Sequence, residues 1–440
     1  MAGDSDLLDD IYNAFDPFQP LSPGDPVYVD LRAVRGDENI EVLGKKISRS
    51  KRMTCQLYAG HRGAGKSTEL LRLKKYLEER DFWVVYFAAD DQDIDPEDTQ
   101  YTDILLACTR HLLENLKYAN ASPVLNWLRD RWQELKDLAL TEIEFESLGV
   151  ESQIGQFAKL TANLRAVPTL RHQIRSKVDP QTVTLMTALN EFIAEAKKRL
   201  PSGRKKLAVI VDNLDRMVLA IQESGRSNHE EIFIDRSEQL KALDCHLIYT
   251  VPISMVYSSR ANSLREIYSD PQVLPMIMVK TSTGEIHQPG FEKIKEVIAK
   301  RVRLFAPTRS LETDIFDSAE TLQQLCLMSG GHVRNLLLLV QAAIDHTEDL
   351  PISAKAVRRS ITDARETYRR TVEDNQWRLL AEVAGSKQIR NDNDYRSLLF
   401  TRCILEYCSE EAGERLHWYD VHPLLRGVRE FQEAVEQMKS

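Results

Sequence analysis

Several short stretches of the chain are continuously apolar, and each is bounded by polar or turn-forming residues. Residues 82–88 read Phe-Trp-Val-Val-Tyr-Phe-Ala, 205–212 read Lys-Lys-Leu-Ala-Val-Ile-Val-Asp, and 246–251 read His-Leu-Ile-Tyr-Thr-Val. Their length and β-branched or aromatic content predict buried strands. Weaker runs at 53–59 and 275–279 bring the number of predicted strands to five. Between 53–59 and 82–88 lies a segment with Leu70, Leu71, Leu73 and Leu77 at helical spacing. Strands alternating with helices predict an α/β fold with a mainly parallel five-stranded sheet, its ligands at the strands' C-terminal ends.

The distance from residue 66 to residue 212 is long for neighbouring strands of such a core. Most of 101–200 has helical character (101–119, 123–140 and 182–200), whereas 141–180 is polar and weakly periodic, a helix or a mobile loop. A large helical insertion is expected here, serving a protein partner or self-association. From 291 the pattern is helical throughout, with helices expected at 291–304, 312–328, 332–346 and 352–369. Helices at 376–384 and 394–400, a hairpin of 403–408 with 416–421, and a helix at 423–438 then follow the order of a winged helix. Residues 1–27 are rich in Asp and Pro, with one short helix at 7–15, and 27–31 is a short strand or a docking segment. The expected division is an N-terminal arm (1–40), a core (41–290, insertion 101–200), an α-helical lid (291–370) and a winged-helix-like module (371–440).

Composition narrows the class. The 440 residues are 42% apolar and 28% charged, as in ordinary globular proteins. No apolar run approaches the roughly 20 residues of a membrane span, and the acidic N-terminus lacks the form of a signal peptide. Six cysteines without a C-x-x-C pair point to reduced thiols and a cytoplasmic location. A net charge of −9 argues against indiscriminate coating of nucleic acid. The basic runs at 45–52, 165–177 and 358–370 are expected to be solvated faces.

One motif names a ligand. Gly60, His61, Arg62, Gly63, Ala64, Gly65, Lys66, Ser67 and Thr68 fit G-x-x-x-x-G-K-[ST], between a predicted strand and a predicted helix. Such a loop wraps backbone N–H groups around phosphate oxygens, aided by the helix N-terminus. Lys66 would serve the β- and γ-phosphates, and Ser67 would offer its hydroxyl to Mg²⁺. Asp212 ends an apolar strand, where an acid can hold the same metal. Asp215 is the nearest further carboxylate for polarising an attacking water. The Thr250 hydroxyl would orient that water if its strand neighbours the loop's strand. Arg334, on the first helical turn after Gly330-Gly331, is placed to touch a γ-phosphate from a lid. Asp91, Asp93 and Asp95 mimic the start of a Ca²⁺ loop, but Pro96 and Thr102 occupy its glycine and glutamate positions. A solvated acidic loop is expected there. Trp127 and Trp132 read as helix core.

Together, residues 60–68, 212–215, Thr250 and 330–337 resemble the AAA+ and STAND ATPases over about residues 40–370. The resemblance implies ATP and Mg²⁺ as ligands, a sheet ordered 5-1-4-3-2, a sensing lid, and often a winged helix. It places Thr250 at the first sensor position and Arg334 at the second. Asn213 stands where many such enzymes carry a catalytic glutamate. Either Asp215 is the base, or hydrolysis is slow and the protein is a nucleotide switch. Arg216, Arg226, Arg260 and Arg265 are alternative arginine fingers. The expected function is a STAND-like switch or assembly platform in bacterial defence or signalling. The alternative is a DNA-associated AAA+ ATPase working through its winged helix.

Overall fold

In β3 (Lys206–Asp212), Leu207, Val209 and Val211 face one hydrophobic core while Ala208 and Ile210 face another. A strand buried on both sides must lie inside a sheet covered by two layers. The computed structural model, which describes residues 4–36, 39–131, 135, 149–222, 225–411 and 413–439, shows this arrangement. β1 (Cys55–Gly60), β2 (Phe82–Ala88), β3, β4 (His246–Val251) and β5 (Gln272–Leu274) form one sheet in the order β2-β3-β4-β1-β5, every pair parallel. Read from the other edge, this is the expected order 5-1-4-3-2. The fold is an α/β P-loop core.

The fifth strand lies three residues before its expected place. Residues 272–274 pair with Tyr58, Ala59 and Gly60 of β1. Residues 275–279 run on outside the sheet: the Met276 amide donates to the Glu406 carbonyl (2.9 Å) and the Met278 amide to the Val34 carbonyl (3.1 Å). Met276, Ile277 and Val279 are apolar because other segments bury them.

The insertion supplies much of the layer that covers one sheet face, with residues 232–240 and 264–268 completing it. Its first helix, Tyr101–Asn115, begins with a capping box between Gln100 and Asp103 and buries Ile104, Leu105, Leu106, Leu112 and Leu113. Each such side chain is worth about 1.5–3 kcal/mol relative to exposure, so the sheet could not shed this helix. Within the polar stretch 141–180, Val150–Ala166 and Pro168–Val178 are helices. Residues 141–148 and Trp132 lie outside the described residues. Trp127 is core, its indole donating to Thr184 at 3.0 Å.

The acidic stretch after β2 is solvated only in part: Asp91 and Asp98 are exposed, Asp95 is half-buried and Asp93 is buried. Asp93 lies between Arg110 (2.8 Å) and His111 (2.9 Å). Arg171 meets Asp95 and Asp98, and Arg175 meets Asp98 and Asp103. Both arginines come from the basic run 165–177 and are buried, an internal joint within a run whose Arg165, His172 and Lys177 remain exposed.

The opposite face carries the helices Asn39–Arg49 and Lys66–Glu78, with Leu405, Tyr407 and Trp418 of the C-terminal hairpin in the same core. A third core joins the N-terminal helix Asp4–Ala14, the helices Gln288–Val302, Ala319–Met328, Val333–Asp345 and Ala354–Arg369 of the expected lid, and the C-terminal helices. Residues 27–31 form no strand; Val29 and Leu31 dock in this third core. β6 (Ile404–Glu411) and β7 (Glu414–Val421) form the expected antiparallel hairpin after helices Gln376–Ser386 and Asn393–Phe400. Among the described residues no helix is long and apolar enough to cross a membrane.

Candidate nucleotide site

The chain leaves β1 at Gly60, turns through residues 61–65 and enters the helix at Lys66, with Gly65 in the left-handed region at its N-cap. Gly63 has φ 89°, and a Cβ there would come within 2.7 Å of His332 and 2.9 Å of Arg334. Only glycine lets the lid approach the loop this closely. Lys66 Nζ donates to the carbonyls of Gly60 and His61, each at 2.9 Å, and pairs with Asp215 at 2.9 Å. An ammonium has three N–H groups, and these acceptors take all three.

Asp212 is buried at the end of β3, level with Ala88 of β2. Burial raises its pKa, and the nearby Asp215 carboxylate adds to the shift; hydrogen bonding from Ser67 and Tyr86 opposes it. The Tyr86 phenol donates to Asp212 at 2.7 Å. A buried carboxylate beside a serine hydroxyl is a hard-oxygen pair suited to Mg²⁺. No described cluster of three His, Cys, Asp or Glu could hold a metal by itself, so phosphate oxygens and water would have to complete the shell.

After Asp212 the backbone turns through Asn213 at φ 65°. The Asn213 amide side chain and Arg216 both bond Asp90, each at 2.7 Å. Thr250 is fully buried on β4 and accepts the Leu214 amide at 2.9 Å. It therefore holds the turn carrying Asp215 and, like Asp212, does not line the cavity.

The lid contributes from above. His332 caps the helix Val333–Asp345, its Nδ1 accepting the Asn335 amide (3.1 Å) and its Nε2 donating to the Arg62 carbonyl (2.8 Å). Burial drives its pKa well below 6.5, which matches this neutral tautomer. Gly331 is required just before: a Cβ would lie 1.8 Å from the Ile277 carbonyl oxygen. The Arg334 amide donates to the Gly63 carbonyl (3.2 Å), and its guanidinium bonds the Pro17 carbonyl and lies over Phe18. Burial and then the neighbouring Arg216, Arg62 and Arg402 push its pKa down to about 10.

These groups surround a cavity of about 360 Å³. Of the residues singled out from sequence, Arg62, Gly63, Gly65, Lys66, Ser67, Thr68, Asp215 and Arg334 line it; Gly60, His61, Ala64, Asp212 and Thr250 do not. The His61 side chain points the other way, to the C-terminal hairpin. Sequence reasoning did not assign Tyr86, Asp91, Arg301 or the arm segment 17–21, all of which line the cavity. The two aspartates directly after β2 were the available signal for Asp91. Arg216, one of the finger candidates, also lines its own chain's cavity. Arg226 and Arg260 share Asp235, and Arg265 pairs with Asp270. Lys66, Arg62, Arg216, Arg301 and Arg334 line the space with only Asp91 and Asp215 as acids, Lys66 being paired with Asp215 and Arg216 with Asp90 behind the wall. That excess of positive charge demands an anionic occupant.

No family model matches the chain, and no curated protein does. Solved structures align over nearly its whole length at low similarity. The Aeropyrum pernix ORC2 protein, solved as ADPNP–ADP complexes, is 12% identical, with 97% of this chain and 98% of that chain covered and a TM-score of 0.42. A Walker-type ATPase of Pyrococcus abyssi is 12% identical (96% and 99% covered, TM-score 0.42). The Aeropyrum pernix ORC1 protein, in complex with DNA, is 12% identical (91% of each chain covered, TM-score 0.37). Likeness at this level leaves the assignment of fold to the chain's own strand order and phosphate loop.

Proposed function

We propose that this protein is an AAA+-like ATPase that binds ATP with Mg²⁺ in the cavity between core and lid and works as a nucleotide-dependent conformational switch. The convergence of Lys66, Arg62, Arg216 and Arg334 on a glycine-rich loop carries the reading. The loop amides and Lys66 would hold the β- and γ-phosphates, and Ser67 with Asp212 would hold the metal, which would neutralise phosphate charge. The apolar part of the cavity, from arm residues 17–21 with Val333 and Leu337, would take the base. Arg334 belongs to the lid yet faces the phosphate loop, so a γ-phosphate would favour one lid position over another; that differential affinity is what a switch requires. Asp215 is the nearest base to the metal site, but its bond to Lys66 must open before it can act. Slow turnover follows from this. Calorimetric titration with Mg-ATP should show saturable one-to-one binding; its absence would remove the proposal.

The alternative, a DNA-associated ATPase, accords with the identities of the aligned structures better than a defence role does. On this chain it would require the module to move. Tyr395, Leu398 and Leu399 of helix Asn393–Phe400 are buried, and Arg396 bonds the Tyr257 carbonyl of the core. Steeply salt-dependent duplex binding, enhanced by ATP, would favour this second reading.

A further inference from the structure

His61 sits in the phosphate loop, yet its ring is completely buried against the C-terminal module. Nε2 accepts the amide N–H of Glu406 on β6 at 3.0 Å. Burial, reinforced by Lys66, holds the ring neutral, with a pKa lowered to about 3, so Nε2 keeps the lone pair this bond needs. The main-chain carbonyl of the same residue accepts Lys66 Nζ. One residue thus bonds the ammonium of the phosphate site through its backbone and the hairpin through its side chain. Nearby contacts tie the same three parts together. The Glu406 carbonyl accepts Met276, next to β5, and the Tyr407 hydroxyl donates to the Gly330 carbonyl (2.8 Å) ahead of the lid helix. The Asn335 amide of the lid meets His422 of the module at 2.8 Å.

We infer that His61 is a positioning residue that couples occupancy of the phosphate cavity to docking of the β6–β7 hairpin. The inference rests on the ATP reading above. Gly60, His61 and Asp215 occupy all three N–H groups of Lys66, so phosphate oxygens can be served only by releasing at least one of them. Releasing the loop carbonyls lets the peptides beside His61 rotate, and a hydrogen bond to an imidazole lone pair weakens steeply with angle. ATP thereby loosens the hairpin, and by reciprocity a loosened hairpin raises ATP affinity by the same factor. The module is the natural output of the switch, because its hairpin is held by the loop, the lid and the strand edge at once.

Hydrogen–deuterium exchange across 404–421 of the full chain, with and without Mg-ATP, tests this. In the wild type the hairpin should exchange about tenfold faster with ATP, equal to about 1.4 kcal/mol. His61→Phe fills the same space without an acceptor. Its hairpin should exchange at the fast rate without nucleotide and show no further response to ATP. Tyr407→Phe, which loses a contact to the lid but keeps the loop contact, should retain the response. A wild-type change under twofold with ATP demonstrably bound overturns the inference, as does a full response in His61→Phe. A His61→Phe hairpin that exchanges as slowly as the wild type without nucleotide overturns the clasp whether or not ATP binds. Failure of ATP to bind the wild type instead removes the function proposed above. If His61→Phe does not fold, the wild-type comparison decides.

Discussion

Replacing Lys66 with alanine should damage this protein in two separable ways. The ammonium lies 2.9 Å from Asp215, with both side chains no more than 5% exposed. At an effective dielectric of about 20 that separation corresponds to an attraction of about 6 kcal/mol. Part of this is already offset by the desolvation of both groups, and removing one partner strands the other's charge. The expected loss of stability is therefore about 3–5 kcal/mol, measured by urea unfolding. Adding Asp215→Ala removes the stranded carboxylate and should restore stability to within about 2 kcal/mol of the wild type. ATP affinity should not recover. Each charge-assisted hydrogen bond that Lys66 gives a phosphate is worth about 1.5–3 kcal/mol, a loss of about ten- to hundredfold in both variants. A single variant as stable as the wild type would refute the buried pair. A double variant that binds ATP normally would refute the phosphate role of Lys66.

Three further outcomes follow from the same geometry. Arg175→Met should cost about 3–5 kcal/mol by stranding buried Asp103; a loss below about 1 kcal/mol would mean that this pair is solvated. His61, His332 and His422 have pKa values depressed by burial, so the unfolded chain takes up protons below about pH 6.5 that the folded chain does not. Their stabilising share is intact above that pH and is lost as pH falls below it, by about 1.4 kcal/mol each at pH 5.5. His422→Gln should remove one such share from the pH dependence of urea unfolding, and an unchanged slope would contradict the burial. In single-turnover assays Asp215→Asn should slow hydrolysis about a hundredfold or more while ATP still binds. An unchanged rate would move the base elsewhere, with Asp91, which also faces the cavity, the next candidate.

What could be read from the chain was local. The phosphate loop, the strand ending at Asp212 and the break at Gly330-Gly331 are short patterns whose physics is complete within about ten residues. The misplaced fifth strand shows the limit. Residues 275–279 have the apolarity of a strand, but their amides turn to Val34 and Glu406, partners more than a hundred residues away in each direction. Thr250 is similar: its place on β4 was legible, but its hydroxyl's use by the Leu214 amide was not. The acidic loop looked wholly solvated because Arg171 and Arg175 arrive about 75 residues later. The arm's place over the cavity rests on single contacts, such as the Leu21 amide to Thr68 at 3.1 Å, which leave no periodic trace.

The central claim is that the cavity holds a triphosphate whose last phosphate is read by the lid. The most direct measurement is the ratio of ADP to ATP dissociation constants, with Mg²⁺, in the wild type and in Arg334→Ala. The wild type should prefer ATP by about tenfold or more, one charge-assisted contact being worth about 1.5–3 kcal/mol. Arg334→Ala should bring the two constants within about twofold while ADP affinity stays near its wild-type value. Equal affinities in the wild type, or a preference that survives in Arg334→Ala, would contradict it.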